Sequence, residues 1–375
     1  MIAVAVSGGV DSLCALTLER QAAQKTGSGV LALHGLFAPQ AAKTDPLPGL
    51  ERACGILSVP LHVVDLRAVF LREVITPFAR SYAEGRTPNP CSLCNRHVKF
   101  GALLDAALSL GADKLATGHY ARLKDLPDEE IPGLYVAEDK SRDQSYFLSL
   151  VGKERLRRAR FPLAEKTKNW CAARVAEEGL DVPLPTPSND LCFVSGAGPD
   201  ACRDYLLDHW SRSGDHIPGP GPILLADGAG ELHEIGRHQG LWRYTEGQRR
   251  GIGIAHPEPL HVLCKDAGRN ALIVGGKSLL GMNGCSTGKA NFLSDPDRWP
   301  ERVFARLRYR RAAAPALVKA REGRLHVSLE NPEFPAAPGQ LVVIYDKNER
   351  ALAGGIIETV EYTKWDTKKS GALIR

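Results

Sequence analysis

The sequence predicts an α/β protein: an N-terminal Rossmann-like parallel-sheet domain, then a small central domain and a C-terminal β-barrel. Three observations carry this. Short apolar runs alternate with helical stretches through the first half, the pattern of a parallel sheet covered on both faces. Residues 216–221 hold two prolines and two glycines and mark a linker. From Ala290 onward short strands alternate with turns, as in a small barrel or sandwich. The boundaries that follow are 1–213, 214–285 and 286–375.

Each element has its own local reason. Residues 2–6, 30–37, 61–66 and 114–117 are apolar runs of strand length. Residues 12–25 and 98–110 read as helices, the second with Leu103, Leu104, Ala107 and Leu108 as its apolar stripe. A further helix over 166–178 ends at Gly179, a usual C-cap. Pro183, Pro185 and Pro187 then forbid helix and central strand and lead into Cys192. The barrel strands are expected at 304–309, 325–329, 341–345 and 353–357.

Composition excludes several classes of protein. The chain has 375 residues, too many for one ordinary core. Hydrophobic residues make up 43% and charged residues 24%, the balance of a soluble globular protein. A net charge of +5 permits a polyanionic partner without demanding one. No apolar run approaches the roughly 20 residues of a membrane helix. The apolar start is too short for a secretory leader, and the nine cysteines are odd in number and irregular in spacing. A cytoplasmic location with reduced thiols is therefore expected.

The strand 2–6 runs into Ser7, Gly8, Gly9, Val10, Asp11 and Ser12 and then a helix. Glycines at a helix N-terminus make an anion site, because backbone N–H groups point outward and the helix dipole favours negative charge. Asp11 would repel a bare phosphate, so its carboxylate makes sense as a ligand of phosphate-bound Mg²⁺. All six residues match the pyrophosphatase loop of adenylating synthetases. That resemblance implies cleavage of ATP between the α and β phosphates. A Walker A loop needs a lysine after its glycines, and none follows here.

The segment GRTPNPCSLCNRHVKFG at 85–101 resembles the catalytic loop of the tRNA-specific 2-thiouridylases. The resemblance continues in order through ATGHY at 116–120, RDQSYF at 142–147, LCF at 191–193 and YTEGQRRGIG at 244–253. RYR at 308–310, PGQ at 338–340 and GGIIE at 354–358 complete it. The family implies ATP-dependent adenylation of a wobble uridine, then sulfur transfer to C2. Carried over position by position, it implies an ATP site at Ala5, Val6, Ser7, Gly8, Gly9, Val10, Asp11, Ser12, Gly118 and the position of Ala38. Asn89, Pro90 and Cys91 would face the target base. Arg142, Asp143, Gln144, Arg308 and Tyr309 would touch tRNA. Cys94 corresponds to the nucleophile and Cys192 to the persulfide carrier. The partners implied are tRNA, a cysteine desulfurase or persulfide relay protein as sulfur donor, and a cellular reductant.

Two other basic features bear on RNA. Arg306, Arg308 and Arg310 alternate with Leu307 and Tyr309, which would set the arginines on one strand face. A second basic run holds Lys153, Arg155, Arg157, Arg158 and Arg160. Lys99 would bind ATP phosphate, lower a nearby thiol pKa, or simply be solvated.

The chain departs from the family in two places. Most relatives have aspartate where Cys91 stands, and the segment after Phe37 is shortened here. Cys91-x-x-Cys94 has a metal-ligating spacing, so three readings compete: a 4Fe–4S cluster on Cys91, Cys94 and Cys192, a redox Cys-x-x-Cys pair, or zinc with His97 as fourth ligand. Two rival functions stand beside thiolation: another ATP-adenylating tRNA-modifying enzyme, and a non-thiolating, metal-binding, RNA-binding paralogue.

Overall fold

The structure, a computed structural model, describes residues 1–37, 45–127, 129–182, 191–194, 199–227 and 231–363. By internal contact the chain falls into two compact units. Unit 1 comprises Met1–Ile75, Cys91–Phe193 and Glu349–Ala351; unit 2 comprises Thr76–Pro90, Val194–Asn348 and the stretch from Leu352. No helix among the described residues is long and apolar enough to cross a membrane.

Unit 1 is built on five parallel strands: β1 (Ile2–Ala5), β2 (Val30–Leu36), β3 (Leu61–Asp65), β4 (Lys114–Ala116) and a short fifth, Ala159–Arg160. They run in the spatial order β3-β2-β1-β4 and then Ala159–Arg160. Ile2 of β1 faces Val30 on one side and Lys114 on the other, so strand order reverses between β1 and β4. In open α/β sheets that reversal leaves a crevice at the carboxyl ends of the strands. The helix Val10–Thr26 leaves β1 there. Its Leu13, Cys14, Ala15 and Leu16 are fully buried, and Gly27 closes it in the left-handed conformation. Leu50, Leu57, Leu163, Cys171 and Val175 complete this core.

Two helices differ from the sequence expectation. The one expected over 98–110 starts earlier and is wound more loosely. A short helix Pro90–Leu93 leads into a π-helix, Cys94–Leu103, and an α-helix resumes at Leu104–Ser109. The interruption sits at Gly101, whose φ of −101° and ψ of −109° are not helical. The Arg96 carbonyl lies 3.2 Å from where a Cβ on Gly101 would stand. The helix expected over 166–178 begins at Lys168, because the Thr167 side chain accepts a hydrogen bond from the Trp170 N–H and caps it. The hairpin Arg122–Leu126 with Glu129–Tyr135 was not anticipated. Pro183, Pro185 and Pro187 lie outside the described residues.

Among the described residues, unit 2 holds two sheets. The central one has four strands, Gly221–Ala226, Leu232–His238, His261–Asp266 and Ala271–Gly275. Ile223, Val262, Leu272 and Val274 are fully buried beneath it. The other has seven strands, of which six close into an antiparallel barrel, Met282–Lys289, Val303–Arg306, Ala314–Arg321, Arg324–Glu333, Leu341–Tyr345 and Ala351–Tyr362, while the short Asn291–Phe292 pairs onto the last of them. Pairing of the first strand with the last closes it and removes the free edges. The strand expected over 304–309 stops at Arg306, since Arg308 to Arg311 form a turn closed by the Arg311 N–H on the Arg308 carbonyl (3.2 Å). The three arginines therefore do not form a row on one strand face. Arg306 lies over the Tyr345 ring at 5.2 Å and Arg308 over Phe334 at 4.7 Å.

Candidate active site

The loop after β1 and the loop after β4 meet at the strand reversal. Gly8 has φ of +85°, a conformation that glycine adopts without strain. The Ser12 hydroxyl donates to the Gly9 carbonyl at 2.9 Å and accepts from the Ser7 N–H at 3.1 Å, so Ser12 ties the loop across itself. Gly118 packs against the same loop. A Cβ there would stand 2.7 Å from the Asp11 carbonyl carbon and 2.9 Å from the Ser12 nitrogen. Both loops are thus fixed with helix Val10–Thr26 aimed N-terminus first at the crevice, the geometry that binds anions. Ala5, Val6 and Val10 carry the backbone on either side; Ala38 lies outside the described residues.

Asp11 is already neutralised. Its Oδ1 accepts from Lys168 Nζ at 2.7 Å and from the Tyr120 hydroxyl at 2.8 Å. Tyr120 in turn is 3.5 Å from the Cys171 sulfur. Lys168 escaped the sequence reading because a lone lysine in a helix has no local signature. The capped start of its helix is the one hint that it stands in an ordered first turn.

The second part of the site is a group of thiols. Cys94 is buried, 7% exposed, whereas Cys91 and Cys192 are exposed. Burial pushes the Cys94 thiol up to about 12; the Lys99 cation opposes that, and the Cys192 and Cys91 sulfurs add to it. Cys192 is also raised by desolvation and lowered by Lys99. Cys94 therefore senses Lys99, Cys192 and Cys91, and Cys192 senses Lys99. The π-helix explains the placement: its hydrogen bonds span five residues, so Cys94 and Lys99 stack along one face, which α-winding would not allow. Phe193 holds the Cys192 segment by an edge contact to Phe70, itself stacked on Phe37, each pair with centroids 5.7 Å apart.

Lys99 is oriented from behind. Its Nζ lies 3.5 Å from Nε2 of the buried His119, whose Nδ1 is 2.7 Å from the Thr117 hydroxyl. An ammonium can only donate, so Nε2 is the acceptor and Nδ1 carries the proton toward Thr117. Burial and Lys99 both lower the His119 pKa and keep the ring neutral. His97, the suggested fourth zinc ligand, has Nδ1 3.9 Å from Glu73. Among the described residues, the His, Cys, Asp and Glu atoms close enough to share one ion belong to Asp227, Glu231 and His233 on the surface of unit 2.

The residues expected to touch tRNA are placed differently from one another. Arg142 is exposed. Asp143 is 2% exposed, and its carboxylate accepts from the Ala137 and Ser145 N–H groups and the Ser145 hydroxyl. Gln144 exchanges hydrogen bonds with the Tyr120 backbone. In unit 2, Arg308 donates to the carbonyls of Glu246 and Pro335, and Tyr309 lies in the adjoining turn. Asn89 is half-buried and Pro90 buried. The basic run at 153–160 is largely spent within unit 1: Arg155 pairs with Asp105, Arg158 donates to the Asp113 carbonyl, and Arg160 pairs with Glu19.

Three family models match: the tRNA methyl transferase HUP domain over residues 1–196, the tRNA methyl transferase PRC-barrel domain over 216–276, and the aminomethyltransferase beta-barrel domain over 282–357. The chain is 44% identical to the tRNA-specific 2-thiouridylase MnmA of Nitratidesulfovibrio vulgaris strain Miyazaki F, over 95% of this chain and 98% of the relative. It is 45% identical to the protein of the same name from Oleidesulfovibrio alaskensis, over 96% and 99%. A solved structure, the U34-tRNA thiolase NcsA from Methanococcus maripaludis with its [4Fe-4S] cluster, aligns with 56% of this chain and 66% of its own. Its TM-score of 0.36 and 17% identity are too low to bear on the reaction.

Gly118→Ala should displace the Asp11–Ser12 backbone and weaken Mg²⁺-ATP binding by at least about tenfold, roughly 1.4 kcal/mol. Titration calorimetry on the variant, with its melting temperature as control, checks this. Unchanged affinity would mean that the loop does not hold the nucleotide.

Proposed function

The chain belongs to the tRNA-specific 2-thiouridylase family, and from that premise we propose how its residues divide the work of sulfur transfer to a tRNA uridine. It is an ATP-using tRNA sulfurtransferase. The wobble position is the target in this reading, and the cytoplasm, where tRNA and sulfur carriers meet, is its place of action. The observation that carries the reading is the mutual influence of Cys94, Cys192 and Lys99, which are far apart in the chain.

The chemistry requires both halves of the site. A urea-like C2 carbonyl is a poor electrophile and its oxygen a poor leaving group. The loop Ser7–Ser12 with Gly118 would hold ATP so that O2 of the uridine attacks the α-phosphate and pyrophosphate departs. Asp11 suits Mg²⁺ bound to that pyrophosphate, because its carboxylate is a hard oxygen donor at the mouth of the anion cradle. Lys168, now on Asp11, would then be released toward phosphate oxygen.

Sulfur arrives as a persulfide on Cys192, loaded by a cysteine desulfurase or a persulfide relay protein. The Cys94 thiolate attacks the inner sulfur, forming the Cys94–Cys192 disulfide and expelling hydrosulfide. Hydrosulfide adds at C2, AMP leaves with the former O2, and 2-thiouridine remains. A cellular dithiol then reduces the disulfide to two thiols. Lys99 favours the thiolate that burial of Cys94 opposes. Asn89 and Pro90 would border the base, while Arg142, Asp143, Gln144, Arg308 and Tyr309 would form the RNA contacts, Asp143 through the turn it holds.

Cys91 supports a second reading. It stands where the family's acid/base carboxylate is expected and its sulfur acts on Cys94. Cys91, Cys94 and Cys192 would be the protein ligands of a 4Fe–4S cluster in this reading. Such a cluster, when bound, supplies an open iron able to carry hydrosulfide.

Three measurements test these assignments. Mass spectrometry of tRNA nucleosides after incubation with ATP, Mg²⁺ and a sulfur donor should show 2-thiouridine with the native chain and none with Cys192→Ser, although that variant still binds ATP. Equal yields from both would refute the persulfide role. Arg308→Ala should weaken tRNA binding and reduce its logarithmic salt slope by about one unit. An unchanged slope would remove Arg308 from the RNA contacts. For the cluster, anaerobic purification should give iron and sulfide that Cys91→Ser loses; an iron-free, colourless, active protein would leave the disulfide route alone.

A further inference from the structure

The segment 86–89 runs directly into the loop that carries Cys91 and Cys94, and within unit 2 it is gripped by a buried polar knot. The side chains of Lys265 and Glu246 are only 1% and 2% exposed. Lys265 Nζ donates to the Thr87 hydroxyl at 2.9 Å and to the Tyr244 carbonyl at 3.0 Å, and stands 3.6 Å from Glu246 Oε2. The Thr87 hydroxyl donates onward to that carboxylate at 3.4 Å. The main chain of Thr87 is held as firmly. Its N–H donates to the Pro338 carbonyl at 2.8 Å, and its carbonyl accepts from Gln340 Nε2 at 2.9 Å. Gln340 also reaches the Pro88 carbonyl at 3.3 Å. Gly339, at φ of +95°, lets this happen: a Cβ there would stand 2.9 Å from the Thr87 carbonyl oxygen.

A buried ion pair is a costly way to stabilise a fold. Desolvation costs several kcal/mol per ion, and apolar side chains of similar volume often serve stability as well or better. What apolar packing cannot do is bind a hydroxyl directionally. Here two donors of Lys265 go to one hydroxyl and one carbonyl, with the Glu246 carboxylate 3.6 Å away as the ion-pair partner, and the hydroxyl belongs to the residue whose N–H and C=O are also pinned. The knot converges on Thr87, and the chain beyond it goes straight to the reaction loop.

We propose that Lys265, Glu246 and Gln340 act as positioning residues that clamp Thr87, so that residues 88–91 enter the loop bearing Cys94 in a single conformation. This rests on the reading of Cys94 as a reacting thiol. The clamp's hydrogen bonds end on Thr87, Pro88 and Tyr244, so it acts through the main chain that carries Asn89 and Pro90. Its loss therefore lowers the rate of sulfur transfer without a matching loss of ATP affinity.

The test uses the full chain with three changes: Thr87→Val, Thr87→Ser, and the apolar double replacement Lys265→Met/Glu246→Leu. Thr87→Val keeps the branched shape and removes only the hydroxyl. It should lower kcat about tenfold, the size expected for one buried hydrogen bond. KM for ATP should stay near the native value, and Thr87→Ser should restore kcat. The double replacement should keep the native melting temperature and still show the low kcat, because packing replaces stability but not direction. Independently of turnover, the alkylation rate of Cys94 by iodoacetamide, read by peptide mass spectrometry, should rise in Thr87→Val and in the double variant and return with Thr87→Ser. Native kcat and native alkylation in Thr87→Val would overturn the clamp, as would a kcat loss that follows melting temperature and is not rescued by serine. If the native chain makes no 2-thiouridine, the thiolation reading fails, while alkylation still decides whether the clamp holds the loop.

Discussion

At the reversal of strand order between β1 and β4, the Gly118 backbone lies so close to Asp11 and Ser12 that no side chain can stand between them. That steric constraint fixes two loops with one contact. It aims helix Val10–Thr26 at the crevice, places the Asp11 carboxylate at its mouth, and sets His119 next in the chain so that its ring turns back to Thr117 and Lys99. Lys99 connects the nucleotide end to the thiols. Sheet topology thereby determines where the charge at the cysteines comes from.

The strand–glycine–helix loop at residues 2–26 was legible in the sequence because it is contiguous: strand, glycines, carboxylate and helix follow one another, and each has a local physical signature. The layered order of the fold was legible for a similar reason, since periodicity switches where the sheets begin. The π-helix was not. Its composition has the same apolar stripe as an α-helix, and only the tertiary position of Gly101 shows where the winding changes. The arginine alternation at 306–310 misled because a strand pattern does not say where the strand ends. The turn at Arg308 is closed by a backbone bond that has no composition signal. Lys168 and Thr87 were silent because their partners lie far off in the chain.

The thiols show opposed forces at work. In the proposed mechanism, burying Cys94 would protect it from bulk oxidants and exclude water from the step that releases hydrosulfide, but burial also disfavours its thiolate. A cation beside the sulfur resolves the conflict only if it stays charged and stays put. The neutral His119 meets both needs: it offers Lys99 an acceptor without adding a competing positive charge, and its other nitrogen is fixed by Thr117. A protonated histidine there would repel the lysine it is meant to orient.

Glu246 and Lys265 show a different use of buried charge. In unit 1, Asp11 and Lys168 are each about one-third exposed, so their pair can open at little cost. In unit 2, Lys265 and Glu246 are sealed from water, and separating them would strand two charges in a low-dielectric interior. The first pair suits an exchangeable partner in binding, the second a permanent geometric reference. Burial, not the identity of the two residue types, makes the difference. The same Lys–carboxylate chemistry yields a half-open pair at the crevice and a sealed anchor on the chain that leads into Cys91 and Cys94.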